Sequence, residues 1–204
     1  MRHSLIILLI AFHSLTFTES DYKIILIYGD SISAGYGMPK DQQWSEDLKQ
    51  LFLEHNLNIG IENRSVSGET TGGGLSRLGN ILDQVKPHYL LIELGGNDAL
   101  RGYPPKRILK NLNEMIDLAV SRNIHVFLMQ IKILPNYGKR YKEQFESIYL
   151  EASEEKNVTL LPFMLDNIAL EEGMMLPDGI HPNERAQPLI AQYVFDDLVL
   201  HLKQ

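Results

Sequence analysis

Cysteine is absent from the 204-residue sequence. Its absence removes disulfides, thiolate metal sites and a cysteine nucleophile together. Positive charge is also short: 19 Lys and Arg stand against 26 Asp and Glu, a net charge of −7. A nucleic-acid binder would carry a basic stripe, so no nucleic-acid partner is expected. No apolar run reaches the roughly 20 residues that a membrane-spanning helix needs. The dinucleotide fingerprint is missing, because Gly35-Tyr36-Gly37 continues as Met38-Pro39-Lys40. The glycines between Gly68 and Gly74 lack the Lys-Ser/Thr ending of a phosphate loop. Asp30, Asp98, Asp178 and His181 show no dense ligand spacing, so neither a metal nor a cofactor is expected.

What remains is globular. Apolar residues make up 44% and charged residues 22%, and a chain of this length buries a core without staples. Met1–Ser20 has the build of a secretory signal peptide: Arg2, the apolar run Leu5–Phe12, then Thr18 and Ser20 as small residues before a cleavage point. Residues 21–204 are then a single domain, periplasmic or secreted, with no stable membrane anchor once the signal is removed. We expect a monomer.

Within that domain, strand and helix alternate. The short continuous apolar run Ile24–Tyr28 reads as a strand covered on both faces. Ile59–Ile61, more weakly, and Tyr89–Leu94, Ile124–Met129 and Val158–Leu161 read as the other four strands. Helical spacing follows from Trp44 to Phe52, from Leu75 to Leu82, from about Pro105 to Ala119, over Tyr141–Lys156 and from about Glu184 to Leu202. Ser65–Gly74, rich in Gly, Ser and Thr, reads as a loop. The pattern implies an α/β fold: a three-layer α/β/α sandwich around a central, mostly parallel five-stranded sheet. The site of such a sheet lies beyond the carboxyl ends of its strands.

Chemistry-bearing residues fall there. Gly29-Asp30-Ser31 follows the first strand directly, so the Ser31 hydroxyl sits on a strand-to-helix turn. A serine needs a base to become a nucleophile. Asp178 precedes His181 by three residues on a loop bounded by Gly179 and Pro182, where the carboxylate can orient the imidazole. Ser67-Gly68 follows the second strand and Gly95-Gly96-Asn97-Asp98 the third. Gly68 offers a closely approachable N–H and Asn97 an uncharged side-chain donor, as an oxyanion hole requires.

These segments resemble the four signature blocks of the SGNH (GDSL-type) hydrolases, named for Ser, Gly, Asn and His. The matching stretches are LIYGDSISAGYG at Leu26–Gly37, SGETTGGGLSRL at Ser67–Leu78, ELGGNDALRG at Glu93–Gly102 and DGIHPNERAQPLIA at Asp178–Ala191. LMQIKILPNYGKRY at Leu128–Tyr141 and LLPF at Leu160–Phe163 extend the likeness to a periplasmic bacterial subgroup. Ile32 replaces the leucine of the GDSL name, and Glu69 stands where aspartate is common. The resemblance implies the flavodoxin-like SGNH fold. It implies hydrolysis of acyl esters and thioesters (acyl-CoA thioesterase, lysophospholipase or arylesterase activity) through an acyl-serine. Carbohydrate O-deacetylation in the same superfamily is the alternative. By the same resemblance, Ser31, Asp178 and His181 form the triad, and Ser31, Gly68 and Asn97 the oxyanion hole. The partner is a small acyl ester, thioester or lysophospholipid. Ala99, Leu100, Tyr103 and the stretch from Ile131 to Tyr137 place apolar and aromatic residues at the strand ends. Of these, Leu134 and Tyr137 are the candidates for the wall of an acyl groove, with Ile131 and Ile133 packing beneath it.

Overall fold

The computed structural model describes residues 22–133, 135–154 and 157–202. The expected signal segment and Leu134 lie outside them. Five strands form one sheet: β1 (Lys23–Gly29), β2 (Ile59–Asn63), β3 (Tyr89–Glu93), β4 (His125–Met129) and β5 (Val158–Leu161). Their order is β2-β1-β3-β4-β5, and every pairing is parallel rather than most of them. Ile25, Leu26, Ile27 and Tyr28 are fully buried, which explains the uninterrupted apolar run: helices cover both sides of β1.

The helices are α1 (Trp44–Glu54), α2 (Thr71–Val85), α3 (Gly96–Leu100), α4 (Pro105–Val120), α5 (Lys139–Ala152) and α6 (Gln187–Val199). From β1 the chain steps one way to β2, then turns back across the sheet through β3, β4 and β5. Right-handed crossovers therefore put α1 on one face and α2, α4 and α5 on the other. Helix α6 returns to pack on α1, while α4 lies between α2 and α5. On α4 the buried residues Ile108, Leu112, Met115, Ile116 and Ala119 recur at helical spacing and form one apolar stripe.

Two sequence expectations change. The Ser65–Gly74 loop is shorter than its composition suggests, because α2 already begins at Thr71. Thr70 caps it, its side chain accepting from the Gly73 N–H. The glycine-rich start allows a close approach: a Cβ on Gly74 would sit 2.7 Å from a Leu94 methyl. Helix α3 was not expected at all. Five residues are too few to show a period, and its geometry is imposed by tertiary bonds described below.

Strand order reverses at β1 and β3, which makes the crevice between their carboxyl ends the switch point of the fold. Gly29-Asp30-Ser31 leaves β1 there and Gly95-Gly96-Asn97 leaves β3 beside it.

Candidate active site

Gly29 faces Glu93 across the β1–β3 pairing. A Cβ on Gly29 would lie 2.6 Å from Glu93 Oε2 and 2.7 Å from Ser33 Cβ, so only glycine lets the following turn fold back onto the strand end. The turn is tied down by Ala34 N–H donating to Asp30 O at 2.8 Å and Tyr36 N–H to Ser31 O at 3.0 Å. It leaves the Ser31 hydroxyl facing the loop before α6.

That loop carries His181 and Asp178. Asp178 Oδ1 accepts from the N–H groups of Ile180 at 2.9 Å and His181 at 3.0 Å, which folds the loop around the carboxylate. Asp178 Oδ2 lies 2.8 Å from His181 Nδ1, and His181 Nε2 lies 2.9 Å from Ser31 Oγ. Residues 150 positions apart in sequence thus meet in one hydrogen-bonded line. The ring of Tyr36 lies over the imidazole, with centroids 4.2 Å apart and planes inclined at 31°. The sequence had not marked Tyr36.

The remaining candidates border the same crevice. Gly68 adopts φ +78°, a left-handed conformation that favours glycine. Its carbonyl accepts from Arg101 at 3.2 Å. Asn97 sits in α3, its Nδ2 2.9 Å from Asp30 Oδ2. Asp98 couples the Gly68 and Asn97 segments: its carboxylate accepts from the Thr71 N–H at 2.8 Å and the Thr71 hydroxyl at 2.7 Å. Asn111 of α4 in turn donates to Thr71 Oγ1 at 2.9 Å. Among the described residues, the N–H groups of Ser31 and Gly68 have no protein acceptor. Nor do any three His, Asp or Glu side chains there converge to hold a metal ion.

Of the proposed groove residues, Tyr137 closes a short 3-10 turn, Pro135–Tyr137, after β4. Its ring faces Tyr141, whose hydroxyl donates to Tyr103 O at 2.7 Å. Ile131 is buried and Ile133 packs on the core, as expected. Ala99 is also in the core and offers no wall, because α3 turns its side chain inward. Exposed apolar side chains around the crevice loops are instead Tyr36, Val66, Leu100 and Ile180.

Electrostatics distinguish the carboxyls. The His181 backbone N–H, the His181 side chain and the Ile180 N–H together hold Asp178 down at about 2. Burial pushes Asp30 up to about 6, against the opposing bonds from Ile32 and Asn97. Glu93 is raised well above its ordinary value by burial first and then by the facing Asp30. These shifts have opposite consequences for stability. A raised carboxyl means that the native state keeps protons the unfolded chain has released. Stability from Asp30 therefore falls as pH rises from its ordinary 3.8 through about 6, and the raised Glu93 acts in the same direction. We expect the melting temperature to decline toward alkaline pH and Glu93→Gln to flatten the decline. Scanning calorimetry of both proteins across that range checks it; equal slopes would contradict an upward shift at Glu93.

The chain matches the GDSL-like lipase/acylhydrolase family over residues 27–188. It belongs to that family. An arylesterase of Vibrio mimicus is 45% identical over 95% of this chain and 97% of its own length. The thioesterase 1/protease 1/lysophospholipase L1 of Escherichia coli K12 is 40% identical over 90% of this chain and 87% of its own. Among solved structures, the psychrotrophic esterase EstA from Pseudoalteromonas superposes with a TM-score of 0.85 at 40% identity, covering 87% of this chain and 97% of EstA. The SGNH-hydrolase esterase AlinE4 superposes at 0.75 with 32% identity, covering 93% of this chain and all of that one. The family, the α/β fold and an ester-hydrolysing enzyme, all expected from the sequence, are thereby borne out.

Proposed function

We propose that the chain hydrolyses acyl esters and thioesters through an acyl-enzyme on Ser31. The observation that carries this is the unbroken line from Ser31 Oγ through both ring nitrogens of His181 to Asp178, at 2.9 and 2.8 Å. Ser31 Oγ attacks the acyl carbon while its proton passes to His181 Nε2. Asp178 holds the ring through Nδ1 and stabilises the cation that forms. The carbonyl oxygen becomes an oxyanion facing the N–H groups of Ser31 and Gly68 and the amide of Asn97. Collapse breaks the bond to the alcohol or thiol, which takes the proton back from His181. Water then repeats the cycle on the acyl-serine and releases the acid, regenerating Ser31.

The acyl group is medium to long and unbranched. Supporting this, the loops around the crevice expose Tyr36, Leu100 and Ile180 and carry Tyr137 nearby. Leu134, outside the described residues, immediately precedes the Pro135–Tyr137 turn in sequence. Each buried methylene contributes up to about 0.8 kcal/mol, so kcat/KM climbs with chain length until the groove is filled. A series of p-nitrophenyl esters from acetate upward, run beside palmitoyl thioester, lysophospholipid and acetylated xylan, tests the assignment. A maximum at acetate, with xylan deacetylated, would favour the carbohydrate deacetylase instead. Names among the relatives, arylesterase and thioesterase/lysophospholipase, agree with an acyl substrate.

The protein works outside the cytoplasm as a soluble monomer. The charge, apolar run and small residues of Met1–Ser20 support export. No described helix is long and apolar enough to cross a membrane. The mass of the mature chain recovered from periplasmic and medium fractions, with its sedimentation behaviour, tests both points.

A further inference from the structure

The Asp between Gly29 and Ser31 has no part in the proton transfers above, yet it is 4% exposed and directly beside them. Asp30 divides its two oxygens between two tasks. Oδ1 accepts from the Ile32 N–H at 3.0 Å and so belongs to the turn that carries Ser31. Oδ2 reaches across to the other strand end, 2.9 Å from Asn97 Nδ2. Beneath, Glu93 accepts from the Ser33 hydroxyl at 2.8 Å and lies 3.4 Å from the Asp30 N–H, so the aspartate sits on a fixed base. Gly96 makes the approach feasible: even a Cβ there would come within 3.3 Å of Asp30 Oδ2.

An asparagine amide has a donor end and an acceptor end of nearly equal size. Turned one way, Asn97 presents N–H to an acyl oxygen. Turned the other way, it presents Oδ1, which repels a developing oxyanion. A carboxylate can only accept, so whichever end of the amide faces Asp30 must be the nitrogen. One Nδ2 hydrogen is then used by Asp30 and the second is left for the crevice.

We propose that Asp30 is a positioning residue for Asn97: by accepting from Nδ2, its carboxylate fixes which end of the amide meets the acyl oxygen. This rests on the oxyanion role given to Asn97 above, and it extends the work of the Gly-Asp-Ser turn from carrying the nucleophile to aligning a donor on the neighbouring strand. The energetic logic is preorganisation, in which the donor is oriented before charge develops.

A double-mutant cycle on the full chain tests it, with kcat and KM measured on a p-nitrophenyl ester well above the Asp30 titration. Asn97→Ala is expected to lower kcat by roughly 10²–10³, as for one oxyanion donor, with KM little changed. Asp30→Ala should lower kcat comparably, again sparing KM. The double variant should be no slower than the slower single variant, because Asp30 acts through Asn97. If the two losses multiply, Asp30 acts on the Ser31 turn and the inference is overturned while the acyl-enzyme scheme stands. Full kcat in Asp30→Ala with a slow Asn97→Ala overturns it equally. An undisturbed Asn97→Ala beside an inactive Ser31→Ala removes Asn97 from the oxyanion hole, and the inference goes with it. Asp30→Asn covers the case where alanine at 30 does not fold. Its Oδ1 still serves Ile32, so its amide nitrogen opposes Asn97 and turns the Asn97 oxygen toward it. The loss in kcat should then appear without a fall in melting temperature, and should vanish in an Asn97→Ala background.

Discussion

Ser31→Ala is expected to lower kcat by about 10⁶-fold while leaving the fold intact. The size follows from the role: without the hydroxyl no acyl-enzyme forms, and what survives is water attack aided by the oxyanion donors. The fold should tolerate the change because the Ser31 hydroxyl bonds only His181 among the described residues. The turn is held by backbone atoms of Asp30, Ser31, Ala34 and Tyr36 and by Asp30 Oδ1, none of which alanine removes. Turnover of a p-nitrophenyl ester and the melting temperature, measured on the same preparation, check both halves. Activity within tenfold of the parent would dismiss Ser31 as nucleophile. A melting temperature lowered together with activity would mean that the turn had been lost rather than the hydroxyl.

Much of this site was legible because its parts sit at strand ends, and strands buried on both faces announce themselves. Ile24–Tyr28 and Tyr89–Leu94 are apolar runs closed by glycine, and the residues just beyond them had to occupy the carboxyl edge of the sheet. Asp178 and His181 could be paired because three residues separate them on a constrained loop. The less legible parts are those that depend on contacts across the fold. Helix α3 carries no periodic signal in Gly-Asn-Asp-Ala-Leu; it is pinned by Asp98 to Thr71 of α2, 27 residues away. The start of α2 looks like loop by composition, and at Gly74 the glycine answers to how closely Leu94 and Tyr28 approach rather than to helix propensity. Glu93 was visible as one charge in an apolar run. That it lies under Asp30 follows only from the β1–β3 register. Helix ends moved for ordinary reasons: α6 begins at Gln187, with Pro188 in its first turn, where a missing N–H costs nothing.

Asp178→Asn carries the second large effect and separates orientation from architecture. Asparagine keeps an oxygen in the place of Oδ1, so the bonds from the Ile180 and His181 N–H groups survive and the loop stays folded. At the place of Oδ2 it puts an NH₂ group 2.8 Å from His181 Nδ1. Donor would then face donor unless the imidazole shifts its proton to Nε2. In that tautomer the nitrogen facing Ser31 Oγ carries a hydrogen and has no lone pair for the serine proton. Loss of about 10⁴-fold in kcat is expected, the scale on which a wrongly protonated triad histidine costs. The melting temperature near neutral pH should fall modestly, because the contribution of the ionised carboxylate is gone while the loop bonds remain. Its acid dependence should change more, and the sign is fixed: a carboxyl lowered to about 2 stabilises the native state above its ordinary 3.8 and loses that contribution as pH falls toward 2. The asparagine variant cannot titrate, so parent and variant should converge in stability across that interval. Asp178→Ala, which removes both backbone bonds, should instead melt lower at every pH. A kcat for Asp178→Asn within tenfold of the parent would show that His181 needs no carboxylate to hold its proton on Nδ1.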